Sequence, residues 1–188
     1  MIFVTLGTHH QPFLRALDLI APLAEIDEVV AQLGPTPARD NHRLATFPFI
    51  SFPEMRRYIE EADVVVCHAG VGTIITAIEF GHRPVVIPRL RAYNEHVDDH
   101  QFQLASRLSD RGLVLGYTPD ASLSALVEDA RARRDLALPA SAELGRALAA
   151  DIDATCRSNA WPRPPLWARP SRHFSGTRWP RVTRGSVH

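Results

Sequence analysis

The chain has 188 residues, with 21 basic and 21 acidic side chains and a formal net charge of zero. Every basic residue is an arginine, and the absence of lysine excludes both a lysine-dependent P-loop and Schiff-base chemistry. The 45% hydrophobic content argues against a fibrous or disordered body, and the length suits one domain with an appendage.

The zero net charge conceals two different segments. Residues 157–188 hold seven arginines and no acid, whereas residues 1–156 hold 14 arginines and 21 acids. The acidic body argues against nucleic acid as a partner. Two cysteines without a C-x-x-C motif, and a beginning without a basic and long apolar leader, favour a cytoplasmic protein with reduced thiols.

Short apolar runs alternate with helical patterns along the chain. The predicted strands are Met1–Leu6, Glu28–Leu33, Ala45–Phe52, Asp63–Cys67, Pro84–Pro88 and Leu113–Tyr117. The predicted helices are Phe13–Leu23, Pro53–Ala62, 73–80, His100–Arg111, 120–134 and 140–155. Pro48 within the third strand and Pro53 directly after it favour an edge position. Strands that alternate with helices predict an α/β fold, a doubly wound, Rossmann-like parallel sheet with helices on both faces.

The composition changes after Cys156. Residues 157–188 contain all three tryptophans and five prolines, without strand or helix periodicity, and we predict a disordered tail beyond a domain of residues 1–156. Two interpretations stay open. Arginine and tryptophan together favour contact with anionic lipid, and the alternative is an extension without function.

The most informative motif runs from Asp63 to Thr73, a strand followed by a glycine-bearing turn and a helix. Gly70 and Gly72 allow a ligand to approach the backbone closely, and the helix directs unpaired N–H groups at the turn. The motif fits a diphosphate, with the Thr73 hydroxyl as a further donor; a purely structural turn is the alternative. The dinucleotide fingerprint G-x-G-x-x-G is absent because position 75 is isoleucine.

A polar loop, residues 88–101, leaves the neighbouring strand at the same edge. Arg89 is a candidate partner for a phosphate, and the carboxylates and amide suit sugar hydroxyls. His96 and His100 raise the question of a metal, but the intervening acids are expected to point away from a shared helical face. The alternative is a polar loop whose acids cap the following helix.

A third motif, Gly7-Thr8-His9-His10, follows the first strand. The glycine again permits close approach of a ligand, and a histidine there suits a general base or a phosphate donor. Solvent-exposed loop histidines are the alternative. Cys67 and His68 do not form a reactive pair, because neighbouring strand residues point to opposite faces.

Four segments together resemble the C-terminal, donor-binding half of family 28 glycosyltransferases, particularly the half-proteins of two-chain UDP-GlcNAc transferases and of bacterial exopolysaccharide synthesis. They are Met1–Thr8, Gln32–Gly34, Ala62–Thr73 and the run from Pro88 to Gln101. The resemblance covers about residues 1–117 in order.

The resemblance implies half of a GT-B enzyme that binds a UDP-sugar without a metal ion or other cofactor. It implies that uracil contacts the backbone near Phe52. Within this chain, His9 is the candidate for the general base. The diphosphate and sugar contacts implied are Gly7, Thr8, His68, Gly70, Gly72, Thr73, Arg89, Asp99, His100 and Gln101. One departure concerns ribose. Larger relatives carry a glutamate where this chain has Thr76, so the contact shifts to a carboxylate of residues 95–99 or is weaker.

The resemblance also implies partners. A GT-B enzyme closes two Rossmann-like domains on its substrates, and this chain has the length of one. A membrane-anchored, acceptor-binding subunit is therefore expected at the inner face of the plasma membrane, with inverting transfer of a hexose-type sugar to a lipid-linked acceptor. The competing function is a non-catalytic subunit that binds UDP-sugar or enhances a separate transferase.

Overall fold

The computed structural model describes residues 1–39 and 43–134. Its strands are β1 (Ile2–Thr5), β2 (Val29–Gln32), β3 (Leu44–Phe47), β4 (Val64–Cys67), β5 (Val85–Val86) and β6 (Leu115–Gly116). Its α-helices are α1 (Leu14–Ile20), α2 (Phe52–Glu61), α3 (Val71–Glu79), α4 (His100–Asp110) and α5 (Leu123–Ala132). Short 3-10 helices cover Ala21–Glu25 and Arg91–Tyr93.

The six strands form one parallel sheet in the order β3-β2-β1-β4-β5-β6. The chain moves outward from β1 to β3, returns to β4 beside β1, and then moves outward in the other direction. This reversal makes the β1–β4 boundary the topological switch point, where ligands bind in open α/β sheets. The predicted doubly wound, Rossmann-like class is confirmed.

Helices cover both faces of the sheet. Alternate side chains of β1, such as Ile2 and Val4, pack with α1 and α5, whereas Phe3 packs on the other face with α2 and α3. The core beneath α3 and α4 continues this second layer. Burial from both sides explains why β1 and β4 are almost entirely apolar.

Local chemistry accounts for most element ends. Ser51 accepts a hydrogen bond from the backbone N–H of Glu54, whose carboxylate accepts one from the backbone N–H of Ser51, and this capping box begins α2. The chain tightens after Ile20 into a 3-10 helix that contains Pro22, where the longer predicted helix ends early.

All six predicted strands are present, β5 and β6 are shorter than predicted, and the boundary of the third strand was wrong. The third strand ends at Phe47, and Phe52 belongs to α2, because Pro48 interrupts the ladder and Ser51 starts a helix. The edge position expected for this strand is correct. The predicted helix 140–155, the boundary at residue 156 and the tail 157–188 lie outside the described residues.

Among residues 1–39 and 43–134, no helix combines the length and apolar character needed to cross a bilayer.

Candidate functional site

Three connections meet at the carboxyl edge of β1, β4 and β5. They are the β1–α1 turn, the β4–α3 turn and the β5–α4 loop, which we define as residues 7–12, 68–70 and 88–99. Each follows a strand next to the topological switch point. The sequence motifs singled out above therefore lie at one edge of the sheet, which is where a doubly wound fold presents its ligand site.

The β4–α3 turn leaves the start of α3 open. Gly70 has extended backbone angles at the N-cap, and no side chain caps the helix or places an acid in its first turn. A Cβ built on Gly72 would meet no atom within 4 Å. The first-turn N–H groups have no acceptor inside the helix, and the positive end of the helix dipole lies beside them. This geometry suits an anion such as phosphate.

Thr73 and Thr76 differ in what they offer this turn. Both are buried, Thr73 in the first turn of α3 and Thr76 one turn later, and the Thr76 hydroxyl donates to the carbonyl of Gly72 at 2.8 Å. Thr76 therefore donates its hydroxyl hydrogen bond within α3 and not to a ligand. It presents no carboxylate in place of the glutamate of larger relatives.

The imidazole of His68 fills the space between two glycines. A Cβ on Gly7 would lie 2.6 Å from His68 Cε1, and one on Gly70 would also collide with the ring. Gly7 further requires glycine because its φ is +78°. The buried His68 Nδ1 has no hydrogen-bond partner among the described residues. Burial, and then the charge of Arg89, lowers the pKa of His68 to about 4, so the ring is neutral at neutral pH.

The β1–α1 turn places His9 against the β5–α4 loop. The rings of His9 and His96 stack with centroids 4.7 Å apart, and His10 lies 4.4 Å from His9 on a tilted plane. His9 Nε2 is 2.7 Å from the Gln11 side-chain oxygen. Thr8 and His10 are exposed. The structure thus brings His9 to the edge that carries the glycine turn.

Arg89 does not lie where a phosphate could reach it, and this corrects the sequence-based expectation. Its side chain is 0% exposed and donates to the carbonyl oxygens of Leu6 at 2.8 Å, Gln11 at 2.7 Å and Glu95 at 3.1 Å. Burial lowers the pKa of Arg89 to about 10, which still leaves it charged at neutral pH. An arginine held by three main-chain carbonyls beneath the surface is a structural tie rather than an anion ligand.

The acids of the β5–α4 loop are largely engaged by other groups of the protein. Glu95 is buried and receives Arg15 on both carboxylate oxygens, at 3.0 and 2.8 Å. Asp99 accepts from the backbone N–H of Arg91, and the Gln101 side-chain oxygen accepts from the backbone N–H of Arg89, both at 3.1 Å. Glu95 is therefore unavailable to ribose. Asp99 and Gln101 lie at the rim, and in each of them one side-chain oxygen already accepts a backbone hydrogen bond.

Asp98 lies between two histidines. Its carboxylate oxygens are 3.0 Å from His96 Nδ1 and 2.6 Å from His100 Nδ1, and one accepts the backbone N–H of His100. The expectation that it points away from both was wrong, because α4 begins only at His100 and residues 96–99 are not helical. The capping interpretation fits Asp98. Within the described ranges no group of three or more His, Cys, Asp or Glu side chains is arranged to hold a metal ion.

Phe52 occupies a separate part of the carboxyl edge. It opens α2 after β3, and its side chain is 58% exposed. Since β3 is three strands away from β4, roughly 14 Å separates the two strand ends. The shallow groove of about 510 Å³ beside it is lined by Phe52, Pro53, Arg56, Arg57, Glu60 and Phe80.

Two residues that tie the site together were missed by the sequence reasoning. Gln32, at the end of β2, accepts from the Thr5 hydroxyl at 2.6 Å and donates to the carbonyls of Gly7 and Pro48. Arg15 on α1 binds Glu95 and the carbonyl of Pro88. A polar residue at the end of an otherwise apolar strand was the available signal for Gln32, and nothing in its helix marked Arg15.

Comparisons with known proteins agree with this architecture. The family model described as the glycosyltransferase family 28 C-terminal domain matches residues 1–155. Comparison with curated protein sequences gives no significant match.

Solved structures with a similar fold include three glycosyltransferases. The glycotransferase of kitacinnamycin is 22% identical with a TM-score of 0.54, over 81% of this chain and 39% of that one. MurG from Acinetobacter baumannii is 21% identical with a TM-score of 0.47, over 82% and 49%. SnogD from Streptomyces nogalater is 22% identical with a TM-score of 0.45, over 79% and 43%. The chain spans less than half the length of each.

Proposed function

Because this chain belongs to the glycosyltransferase family 28 C-terminal domain family, we propose that it is the donor-binding subunit of a glycosyltransferase that uses a UDP-sugar. Its sheet is the Rossmann-like unit of the GT-B glycosyltransferases. The observation that carries the proposal is the open start of α3 at the topological switch point, with Gly72 facing empty space. That position offers a diphosphate unpaired N–H groups and a helix dipole without requiring a cation.

The distances along the edge favour an elongated donor. Roughly 14 Å separates the end of β3, which leads into Phe52 at the start of α2, from the end of β4, which leads into the glycine turn. A nucleoside diphosphate has the length to place its base near Phe52 and its phosphates at Gly70–Thr73. The sugar then extends toward Asp99, His100 and Gln101 at the rim of the β5–α4 loop.

The reaction we propose is inverting transfer of a hexose-type sugar to a lipid-linked acceptor. An acceptor hydroxyl attacks the anomeric carbon, the bond from that carbon to UDP breaks, and the hydroxyl proton passes to a general base. His9 is the in-chain candidate for the base, and the start of α3 stabilises the charge that develops on UDP. A membrane-anchored partner chain supplies the acceptor site and holds this subunit at the inner face of the plasma membrane.

Donor binding is tested by substituting Gly72 with alanine. The added methyl meets no protein atom within 4 Å and projects where the diphosphate is expected, so the fold should be unaffected while UDP binding weakens about tenfold or more, about 1.4 kcal/mol. Isothermal titration calorimetry with UDP and a thermal melt measure the two effects.

Gly116→Ala is the matched control, because it also adds one methyl at a glycine that lacks a positive φ, here in β6. Its UDP affinity should equal that of the wild-type chain. Equal UDP binding by the Gly72→Ala and wild-type proteins would contradict the proposed site.

The second candidate is a non-catalytic subunit that binds UDP-sugar for a separate transferase. The engagement of Glu95, Asp98 and Asp99 in contacts with other protein groups favours it, because fewer free side chains remain for chemistry. Co-purification with the product of an adjacent gene, followed by UDP release from a panel of UDP-sugars, separates the two. Turnover that survives His9→Ala and Gly72→Ala together favours the non-catalytic subunit.

A further inference from the structure

Arg89 is among the largest fully buried side chains of the described residues, yet it carries a charge. Its three hydrogen-bond acceptors are main-chain carbonyls from two different connections: Leu6 and Gln11 on the side of β1, and Glu95 in the β5–α4 loop. Its Nε has no hydrogen-bond partner within residues 1–39 and 43–134, and its guanidinium lies 4.5 Å from the centroid of the Phe13 ring. The side chain therefore spans the gap beneath two ligand-facing connections.

A buried charge is costly unless its hydrogen bonds satisfy it, and an apolar side chain fills a core at lower cost. Packing alone does not account for Arg89. What the guanidinium adds is a flat set of donors that reach in several directions at once, so that the connections it contacts are held at a fixed separation. Ordinary packing contacts do not impose that constraint.

Neighbouring contacts reinforce the same junction. Arg15 on α1 binds both carboxylate oxygens of Glu95, and Glu95 also accepts from the backbone N–H of Leu90 at 3.0 Å. The side chain of Gln11 donates to the carbonyl of Asn94, a residue in the left-handed conformation with φ of 55°. The β1–α1 turn and the β5–α4 loop thus behave as one joined unit centred on Arg89.

We propose that Arg89 is a positioning residue that fixes the β1–α1 turn against the β5–α4 loop, and so sets the placement of His9 relative to His96 on the side of the site that takes the sugar. The inference rests on the proposed function for its ligand, a UDP-sugar. The guanidinium hydrogen bonds of Arg89 go to Leu6, Gln11 and Glu95, and none of these residues lies at the start of α3, where the diphosphate is expected. Loss of its geometry should therefore affect recognition of the sugar more than recognition of UDP.

Arg89→Lys tests this inference because it keeps the positive charge but replaces the planar fork with one flexible ammonium. Isothermal titration calorimetry measures Kd for UDP and for UDP-glucose, UDP-galactose and UDP-GlcNAc. For the donor that the wild-type chain binds best, we expect the ratio of its Kd to that of UDP to rise about tenfold, with the Kd of UDP changed less than about twofold. Arg133→Lys, at an exposed position directly after α5 and away from the proposed site, is the matched control and should leave the ratio unchanged.

A second readout does not depend on the donor. The stacked rings of His9 and His96 should give a nuclear Overhauser effect in the wild-type chain, with resonances assigned through His9→Gln and His96→Gln, and this effect should weaken or vanish in Arg89→Lys. If wild-type protein binds no UDP, the proposed function fails, and the ring contact still decides the role of Arg89. A retained ring contact with an unchanged Kd ratio overturns the inference, and so does an equal loss of UDP and UDP-sugar binding.

Glu95→Gln keeps the test decisive if Arg89→Lys does not fold. The substitution preserves the size of the side chain but removes the charge that holds Arg15, so it loosens the same junction from its other side. We expect the same rise in the Kd ratio and the same weakening of the ring contact. A folded Glu95→Gln protein that changes neither one contradicts the positioning role.

Discussion

The imidazole of His68 is buried between two turns of the site, and this burial changes its pKa. It separates Gly7 from Gly70, and any side chain at either glycine would displace it. The same burial lowers its pKa to about 4. A neutral imidazole beside an anion site can donate or accept one hydrogen bond but contributes no charge, so in the proposed site the backbone of α3 provides the positive potential.

The lowered pKa of His68 predicts a loss of stability in acid. Between pH 6.5 and about 4 the unfolded chain binds a proton at His68 that the folded chain excludes. The free energy of unfolding therefore decreases as pH falls through this window, and the stability that neutral His68 contributes is complete above it. From pH 7.5 to pH 5, we expect His68→Gln to lose about 2 kcal/mol less than wild type. Urea unfolding at both pH values measures this difference.

The exposed His10 supplies the control for that experiment. His10→Gln should lose as much stability between the two pH values as the wild-type chain. If His68→Gln follows the wild-type chain as well, His68 does not have the lowered pKa in the folded state.

Arg89 shows that the direction in which a side chain points cannot always be predicted from the local sequence. A strand followed by an arginine in a polar loop predicts an anion ligand, and the chemistry of the residue type supports that interpretation. Whether the guanidinium points out or in depends largely on Leu6 and Gln11, which lie 83 and 78 residues away in sequence, and on how Glu95 in the same loop is placed. By contrast, the glycine turn was predictable, because its conformation is a property of the backbone that local sequence dictates.

At the scale of elements, the start of α2 depends on a reciprocal pair of hydrogen bonds. Ser51 and Glu54 each bond to the other's backbone N–H, and the Ser51 hydroxyl also donates to the Glu54 carboxylate at 2.6 Å. These bonds lower the pKa of the Glu54 carboxyl below its ordinary value. The cap fixes where Phe52 emerges, so it bears on the proposed base-binding end of the site.

Removing this cap should destabilise the protein. Ser51→Ala deletes the acceptor of the Glu54 N–H, and we expect a loss of about 1 kcal/mol in the free energy of unfolding. The urea midpoint, with the slope of the transition held constant, gives the value. Ser106→Ala, at an exposed position inside α4, should change stability far less. Equal effects at Ser51 and Ser106 would show that the cap is unimportant.

The elements themselves were largely predictable because continuous apolar runs of four to six residues identify strands buried on both faces. Prediction failed at the connection between β3 and α2. The apolar residues Phe49, Ile50 and Phe52 continue the pattern of a strand, yet Pro48 and the cap at Ser51 end the ladder. Hydrophobicity alone does not show that two of these side chains, Phe49 and Phe52, are more than half exposed.

For the molecule as a whole, the uneven charge distribution is a property of the sequence that the described residues do not address. Residues 157–188 carry seven arginines and three tryptophans, and arginines close to an anionic surface contribute about 1 kcal/mol each. Attraction to lipid is therefore a prediction about this segment, separate from donor binding.

Deletion of residues 157–188 should lower the fraction of protein that sediments with phosphatidylglycerol vesicles, increasingly so at low salt, and leave the Kd for UDP unchanged. Phosphatidylcholine vesicles serve as the neutral control and should bind neither form strongly. Unchanged partitioning onto the anionic vesicles would exclude a role of this segment in membrane contact.

The strand order also has a consequence for how the protein folds. Ile2 pairs with Val29 on one side and Val64 on the other. The first strand of the chain therefore lies in the middle of the sheet, and its two partner strands are 27 and 62 residues away in sequence. Folding rates fall as contacts become less local in sequence. The β1–α1 turn and the β4–α3 turn come together only when β1 pairs with β4, so assembly of the ligand edge depends on a contact that spans 62 residues.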